Sequence, residues 1–187
     1  MSRYLLLLLS LNVYAGDNTI NIDQVGDNNI ITIVQDGTDH TASVILGQTI
    51  AGSGNTVSIE QRDAPKAATV EVKAGINNGI TILQQGTGNH YAGIQNLIGS
   101  GNSISVDQNG AGSHTFTISN STNATNNGNT ISATQSGGYG ADKSFNLMLN
   151  GTMSAGVVVT QTNSTQSNQG SMSIQCNPCG SYSYVRQ

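Results

Sequence analysis

The chain has 187 residues, 9% of them charged and 4% aromatic, with 23 Gly and a formal net charge of −4. An ordinary globular domain carries about a quarter charged residues, and here Asn, Gln, Ser, Thr and Gly stand in their place. That balance excludes a charged disordered tail and also the basic footprint of a nucleic-acid-binding or polybasic membrane-attached protein. Apolar residues at 36% are too few for a thick core and imply a thin, repetitive one.

Residues 1–15 read as a signal peptide: Arg3 gives a positive start, Tyr4 to Leu11 an apolar run, and Val13-Tyr14-Ala15 the small residues of a cleavage site. The apolar run is well short of the ~20 residues that span a bilayer, and no second one follows. Export without an integral membrane segment is the expectation, with Gly16 as the new N-terminus.

From residue 18 the chain repeats. Asn18-Ile20-Ile22-Gln24, Asn29-Ile31-Ile33-Gln35, Asn55-Val57-Ile59-Gln61, Asn78-Ile80-Ile82-Gln84 and Asn102-Ile104-Val106-Gln108 share one alternating template. Asn129-Ile131-Ala133-Gln135 keeps it with a smaller third residue, and Val157-Val159-Gln161 is a degraded copy. A period of two built on Ile and Val predicts strands. A Gly two residues past most of the Gln positions predicts turns. Each gap between these segments leaves room for a second strand type: His40-Ala42-Val44-Leu46, Lys66-Ala68-Val70-Val72, His90-Ala92-Ile94, His114-Phe116-Ile118 and Lys143-Phe145-Leu147-Leu149. With the Asn18 and Met172-Ile174 segments at the ends, the count is thirteen strands.

Two short strands cannot bury an apolar face alone, but copies stacked at about 4.8 Å close a continuous core. The predicted fold is therefore all-β: a parallel β-solenoid of about six strand-turn-strand rungs over residues 16–175, followed by a cysteine-containing tail at 176–187. Stacked Asn and Gln side chains satisfy one another as ladders. The residues expected to carry the ladders and the core between them are Asn29, Ile31, Ile33, Gln35, Asn55, Val57, Ile59, Gln61, Asn78, Ile80, Ile82, Gln84, Asn102, Ile104, Val106, Gln108, Asn129, Ile131 and Gln135. Outward-facing Thr32, Ser58, Thr81 and Ser105 are expected to be exposed. His40, Lys66, His90, His114 and Lys143 hold equivalent positions and are expected to line one corner about one rung apart, where mutual repulsion lowers the histidine pKa values. Cys176 and Cys179 read as a local disulfide or a pair of free thiols; a metal would need two further ligands.

The run Asn-x5-Gln-x-Gly-x-Asn, from Asn18 to Asn28, and the shorter Asn-x5-Gln-x-Gly of later repeats resemble the curlin repeat of curli, the extracellular functional amyloid of bacterial biofilms. The resemblance implies a solenoid exported unfolded that polymerises end to end outside the cell, often from a surface-held nucleator. Its partner would be itself or a related fibre subunit or nucleator. Curlin places Asn where this chain has His40, His90, His114, Lys66 and Lys143. Longer loops at Gly47 to Asn55 and Ser119 to Asn129 also depart from the family, as does the missing Gly-rich segment before the first repeat.

Two other classes compete with a secreted fibre subunit or nucleator. The acidic residues include Asp23, Glu60 and Asp107 at outward positions and Asp36, Asp39 and Asp63 in turns, with no accompanying basic or aromatic cluster, so catalysis and a cofactor are not expected. A monomeric secreted solenoid binding glycan or ice is the alternative, with Thr32, Ser58, Thr81, Ser105 and Ser132 as a flat hydroxyl column.

Overall fold

A computed structural model describes residues 16–47, 52–121 and 124–187; the signal-like segment at 1–15 lies outside them. Every regular element among the described residues is a strand. One sheet contains β2 (Ile30–Gly37), β4 (Thr56–Asp63), β6 (Gly79–Gln85), β8 (Ser103–Gly110), β10 (Thr130–Gly137), β12 (Gly156–Gln161) and β14 (Ser181–Arg186). The other contains β1 (Thr19–Gln24), β3 (Thr41–Leu46), β5 (Lys66–Ala74), β7 (His90–Ile98), β9 (His114–Asn120), β11 (Lys143–Thr152) and β13 (Asn168–Cys176). The chain alternates between the sheets, and every pairing is parallel and joins strands two places apart, as from β2 to β4 and from β1 to β3. This is the expected parallel β-solenoid, with about six turns between β1 and β13.

The period-two pattern positions the core. Ile31, Val57, Ile80, Ile104 and Ile131 pair in register from rung to rung and are 2% exposed or less, as are Ile33, Ile59, Ile82, Val106 and Ala133 beside them. Of the outward residues between these columns, Thr81 and Ser105 are exposed as expected, as is Ser132, whereas Thr32 and Ser58, expected to be exposed, are half-buried. On the opposite sheet the column Ala42, Ala68, Ala92 gives way to Phe116 and Phe145. Over the same rungs the first sheet changes from Ile82 to Val106 and Ala133, smaller side chains that offset part of the volume the rings add. The two Phe rings stack with centroids 6.0 Å apart.

The sequence reading is corrected at both ends. Among the described residues there are fourteen strands, not thirteen, because residues 181–186 of the assigned tail form β14, paired in parallel with β12. Ser-Tyr-Ser-Tyr-Val-Arg alternates as a strand does but lacks the bracketing Asn and Gln, so the template does not detect it. At the start, the Asn18–Gln24 segment has the template of the first sheet but pairs with β3 in the second, since only one short arc, Gly26 to Asn28, separates it from β2.

Those arcs set the register. On the Asn side the residue before the ladder position is left-handed in each: Asn28 (φ 58°), Gly54 (66°), Asn77 (57°), Gly101 (69°), Gly128 (65°) and Ser154 (58°). Asn and Gly are the residues that tolerate this conformation. A second Gly stands three places before the ladder Asn, at Gly26, Gly52, Gly75 and Gly99.

Candidate functional site

Among the described residues the polar and titratable side chains gather in three columns that run along the solenoid and in its two end rungs. The first column is the Asn ladder at one edge of the first sheet. Asn29 Oδ1 accepts from the backbone N–H of Asn55 at 2.9 Å and from its Nδ2 at 3.1 Å. The pattern recurs from Asn55 to Asn78, Asn78 to Asn102 and Asn102 to Asn129, and ends where Asn129 Oδ1 accepts from the Ala155 N–H at 2.9 Å. Each Nδ2 spends its other proton on an arc carbonyl of the next rung, for example Asn78 on Gly99 at 3.0 Å. All five amides are buried, and from Asn55 onward both Nδ2 protons are used, whereas among the described residues Asn29 at the start of the ladder donates only to Gly52 O.

The Gln ladder runs along the opposite edge with the reverse polarity. Gln35 Nε2 donates forward to Gln61 Oε1 at 2.8 Å, and so on through Gln84, Gln108 and Gln135 to Gln161. The same nitrogens reach across to sheet-two carbonyls, such as Gln84 to Ala67 at 3.0 Å, and tie the two sheets together. A buried amide left without its partner costs about 1–3 kcal/mol, so the ladders hold identical rungs in register.

The third column is the corner of His40, Lys66, His90, His114 and Lys143, all 2% exposed or less. Register pairing places Asn18 before His40 and Asn168 after Lys143, so a column of histidines and lysines begins and ends in Asn. The imidazoles of His90 and His114 stack with centroids 4.8 Å apart and planes 9° from parallel. Each His Nε2 lies on a backbone carbonyl: Asp36 at 3.2 Å, Gln85 at 2.8 Å and Asn109 at 3.0 Å. This geometry puts the proton on Nε2 and leaves Nδ1 as acceptor, and His114 Nδ1 accepts the Lys143 N–H at 3.3 Å, as an Asn Oδ1 does elsewhere. Burial is the largest cause holding His90 down to about 4; its backbone hydrogen bond opposes that, and His114 and Lys66 add to it. His40 and His114 are also lowered, again chiefly by burial. Repulsion within the column is therefore a lesser contributor than the sequence reading supposed.

Lys66 Nζ is held by three carbonyls, Ala64 at 2.7 Å and Gly86 and Gly88 at 2.8 Å each. Burial lowers its pKa to about 8, which keeps the ammonium at neutral pH. Three acceptors also fit an ammonium, because a neutral amine has only two protons. Lys143 Nζ reaches Ala141 at 3.0 Å and also Gln166. Replacing Lys66 with Met should leave three inward carbonyls without a donor, offset in part by the relieved burial of a charge. The expected loss is about 2 kcal/mol in urea unfolding; Lys66→His, which the template uses elsewhere, should cost less.

Cys176 and Cys179 are disulfide-bonded within the arc between β13 and β14. Among the described residues no three His, Cys, Asp or Glu side chains group as a metal site requires, and no helix is long and apolar enough to cross a membrane. The sequence reading placed Gly26 in a turn but missed the equivalent arc glycines Gly52, Gly75 and Gly99, and it missed the Tyr182–Tyr184 rung. The first had a signal in the sequence, a Gly three places before each of four Asn; the second had only an unbracketed alternation.

At the ends the core is half covered. Ile20 and Ile22 in β1, and Met172, Tyr182 and Tyr184 in the last rung, are only partly buried. The bonds Thr19 N to His40 O and Ile30 N to Asn55 O show that outward-facing residues turn their peptide groups toward the following rung. By strand alternation, the inward-facing residues turn theirs toward the preceding one. The first rung therefore presents the N–H and C=O groups of Ile20, Ile22, Ile31 and Ile33 to whatever precedes it, and β13 and β14 present theirs to whatever follows.

Residues 16–45, from the start of the first rung to within β3, match the family model described as curlin associated repeat. No curated protein and no solved structure matches the chain.

Proposed function

We propose that this chain, which carries a curlin associated repeat over residues 16–45, is a secreted structural protein, a subunit or nucleator of an extracellular curli-like amyloid fibre serving adhesion or a biofilm matrix. The observation that carries this reading is the pair of end rungs, whose outer edges pair with no other described strand on an otherwise closed stack. A sheet edge with unpaired peptide groups is a template for another strand, and proteins that stay monomeric blunt it with charge, Pro or a cap. Here the first rung presents Ile20 and Ile22, half-buried and uncharged. Export through the segment at residues 1–15 fits a disulfide at Cys176–Cys179, a bond that oxidising compartments favour. The role assigned to the columns is mechanical.

Assembly kinetics test the proposal. Wild-type protein should show a lag, then dye-positive fibres, with the lag abolished by preformed seeds. Replacing Ile20 and Ile22 with Lys should stop elongation while the remaining rungs stay folded by circular dichroism. Protein that stays monomeric at high concentration and neutral pH, seeded or not, would reject the fibre. It would favour a glycan- or ice-binding surface on the Thr32, Ser58, Thr81, Ser105 and Ser132 column, which in this chain breaks at Val158.

A further inference from the structure

The two ends of the stack differ in chemistry in a way that fits one to the other. Because each Gln donates Nε2 forward, the ladder starts with an acceptor that no described residue fills: Gln35 is 1% exposed, yet its Oε1 has no partner among the described residues. At the far end the position equivalent to Gln161 is held by Arg186, a donor with no acceptor capacity. Beyond Lys143 this arginine is the only charged side chain, whereas five of the ten acidic residues, Asp17, Asp23, Asp27, Asp36 and Asp39, precede residue 40.

We propose that the last rung of one copy seats on the first rung of a second copy of this same chain in continuous register, with β14 beside β2 and β13 beside β1, so that the Arg186 guanidinium fills Gln35 Oε1 next to Asp36. The inference rests on the fibre reading and adds its polarity, register and specificity contact. The same register places Ser183 beside Thr32 and Asn168 on Asn18, joining the corner column through two neutral amides rather than two cations. Tyr182 and Tyr184 then cover Ile31 and Ile33. Gly170, where a Cβ would lie 2.6 Å from the Tyr184 ring, leaves that ring its space in the last rung. Oriented the other way, head on head, two acceptor ends and two aspartate-rich rungs would meet.

Cross-linking in fibres of the full chain tests the register. Thr32→Cys and Ser183→Cys are outward-facing substitutions on opposite end strands, and the native cysteines are bonded to each other and inert to maleimide. Fibres grown from an equal mixture of the two variants and treated with a short bis-maleimide should yield covalent dimers, and fibres of either variant alone should yield none. Fibres that form but link 32 to 32 or 183 to 183, or do not link, would overturn the register and leave the fibre standing; absence of any fibre would overturn both. Arg186→Ala should raise the critical concentration about tenfold, the effect of losing one hydrogen bond to a charged group. Arg186→Gln, which still offers a donor to Gln35, should stay within about twofold of wild type. If it behaves as Arg186→Ala does, the ladder contact is wrong.

Discussion

Gly75→Ala and Gly99→Ala are expected to cost about 3–5 kcal/mol each, near the upper end for single substitutions. Both glycines lie in the arcs on the Asn side, at φ 150° and 134°, where an L side chain is strained. A Cβ built on Gly75 would lie 1.8 Å from the Gly99 carbonyl oxygen, and one on Gly99 would lie 1.8 Å from that of Asn126. These atoms cannot step aside cheaply. The Gly99 carbonyl accepts Asn78 Nδ2 and that of Asn126 accepts Asn102 Nδ2, so moving either breaks the Asn ladder as well. Gly79 is the internal control, four residues on in β6, where a Cβ would meet nothing within 4 Å and φ is not unusual. Gly79→Ala should be neutral or stabilise by about 0.5 kcal/mol through the unfolded chain. Urea unfolding followed by far-ultraviolet circular dichroism reads both effects; equal midpoints for the Gly75 and Gly79 variants would show that the arcs yield freely.

The same contrast explains how much of the molecule could be read from its sequence. Alternating Ile and Val, such as Ile31, Ile33, Val57 and Ile59, fix which face is buried, because a slip of one residue would expose them all. Asn and Gln at inward parity fix the stacking, because a buried amide requires a partner and a copy of itself one rung away supplies one. The arcs were harder to read, since the need for Gly75 comes from the carbonyl of Gly99, an atom 24 residues later that no local pattern exposes. β14 was hidden for a related reason: in a last rung Tyr182, Tyr184 and Arg186 replace the core and ladder residues, so the template is absent where the stack ends. For the corner, position was legible in His40, His90 and His114, but the cause of their lowered basicity was not. Burial is a property of the closed arcs, whereas repulsion is all that a list of cations suggests.

Acidification should therefore weaken the solenoid through its histidines. His90 has a folded-state pKa of about 4, below the ordinary 6.5, and burial lowers His40 and His114 in the same direction. A folded pKa below the unfolded one means that the unfolded chain takes up protons first. The stabilisation is present in full above about pH 6.5 and is lost as pH falls toward 4, with about 3 kcal/mol at stake for His90 alone. The geometry gives the reason: Nε2 already donates to Gln85 O, so a second proton must go to Nδ1, which is buried without a partner. In His114 that proton would face the Lys143 N–H. The surrounding charges do not reverse the sign. Lys66 opposes protonation of His40 and His90, and Lys143 opposes that of His114; Asp36 and Asp39 beside His40 and Asp142 near His114 offset only part of it. Asp107, raised by burial, titrates in the opposite sense, since its protonation as pH falls favours the folded chain. Replacing His40, His90 and His114 together with Asn extends to the whole corner the residue that already occupies both of its ends at Asn18 and Asn168, with only Lys66 and Lys143 left as cations. The triple variant should keep its urea midpoint between pH 7 and pH 4.5 while wild type loses much of its own, and an equal loss in both would place the acid sensitivity outside this column.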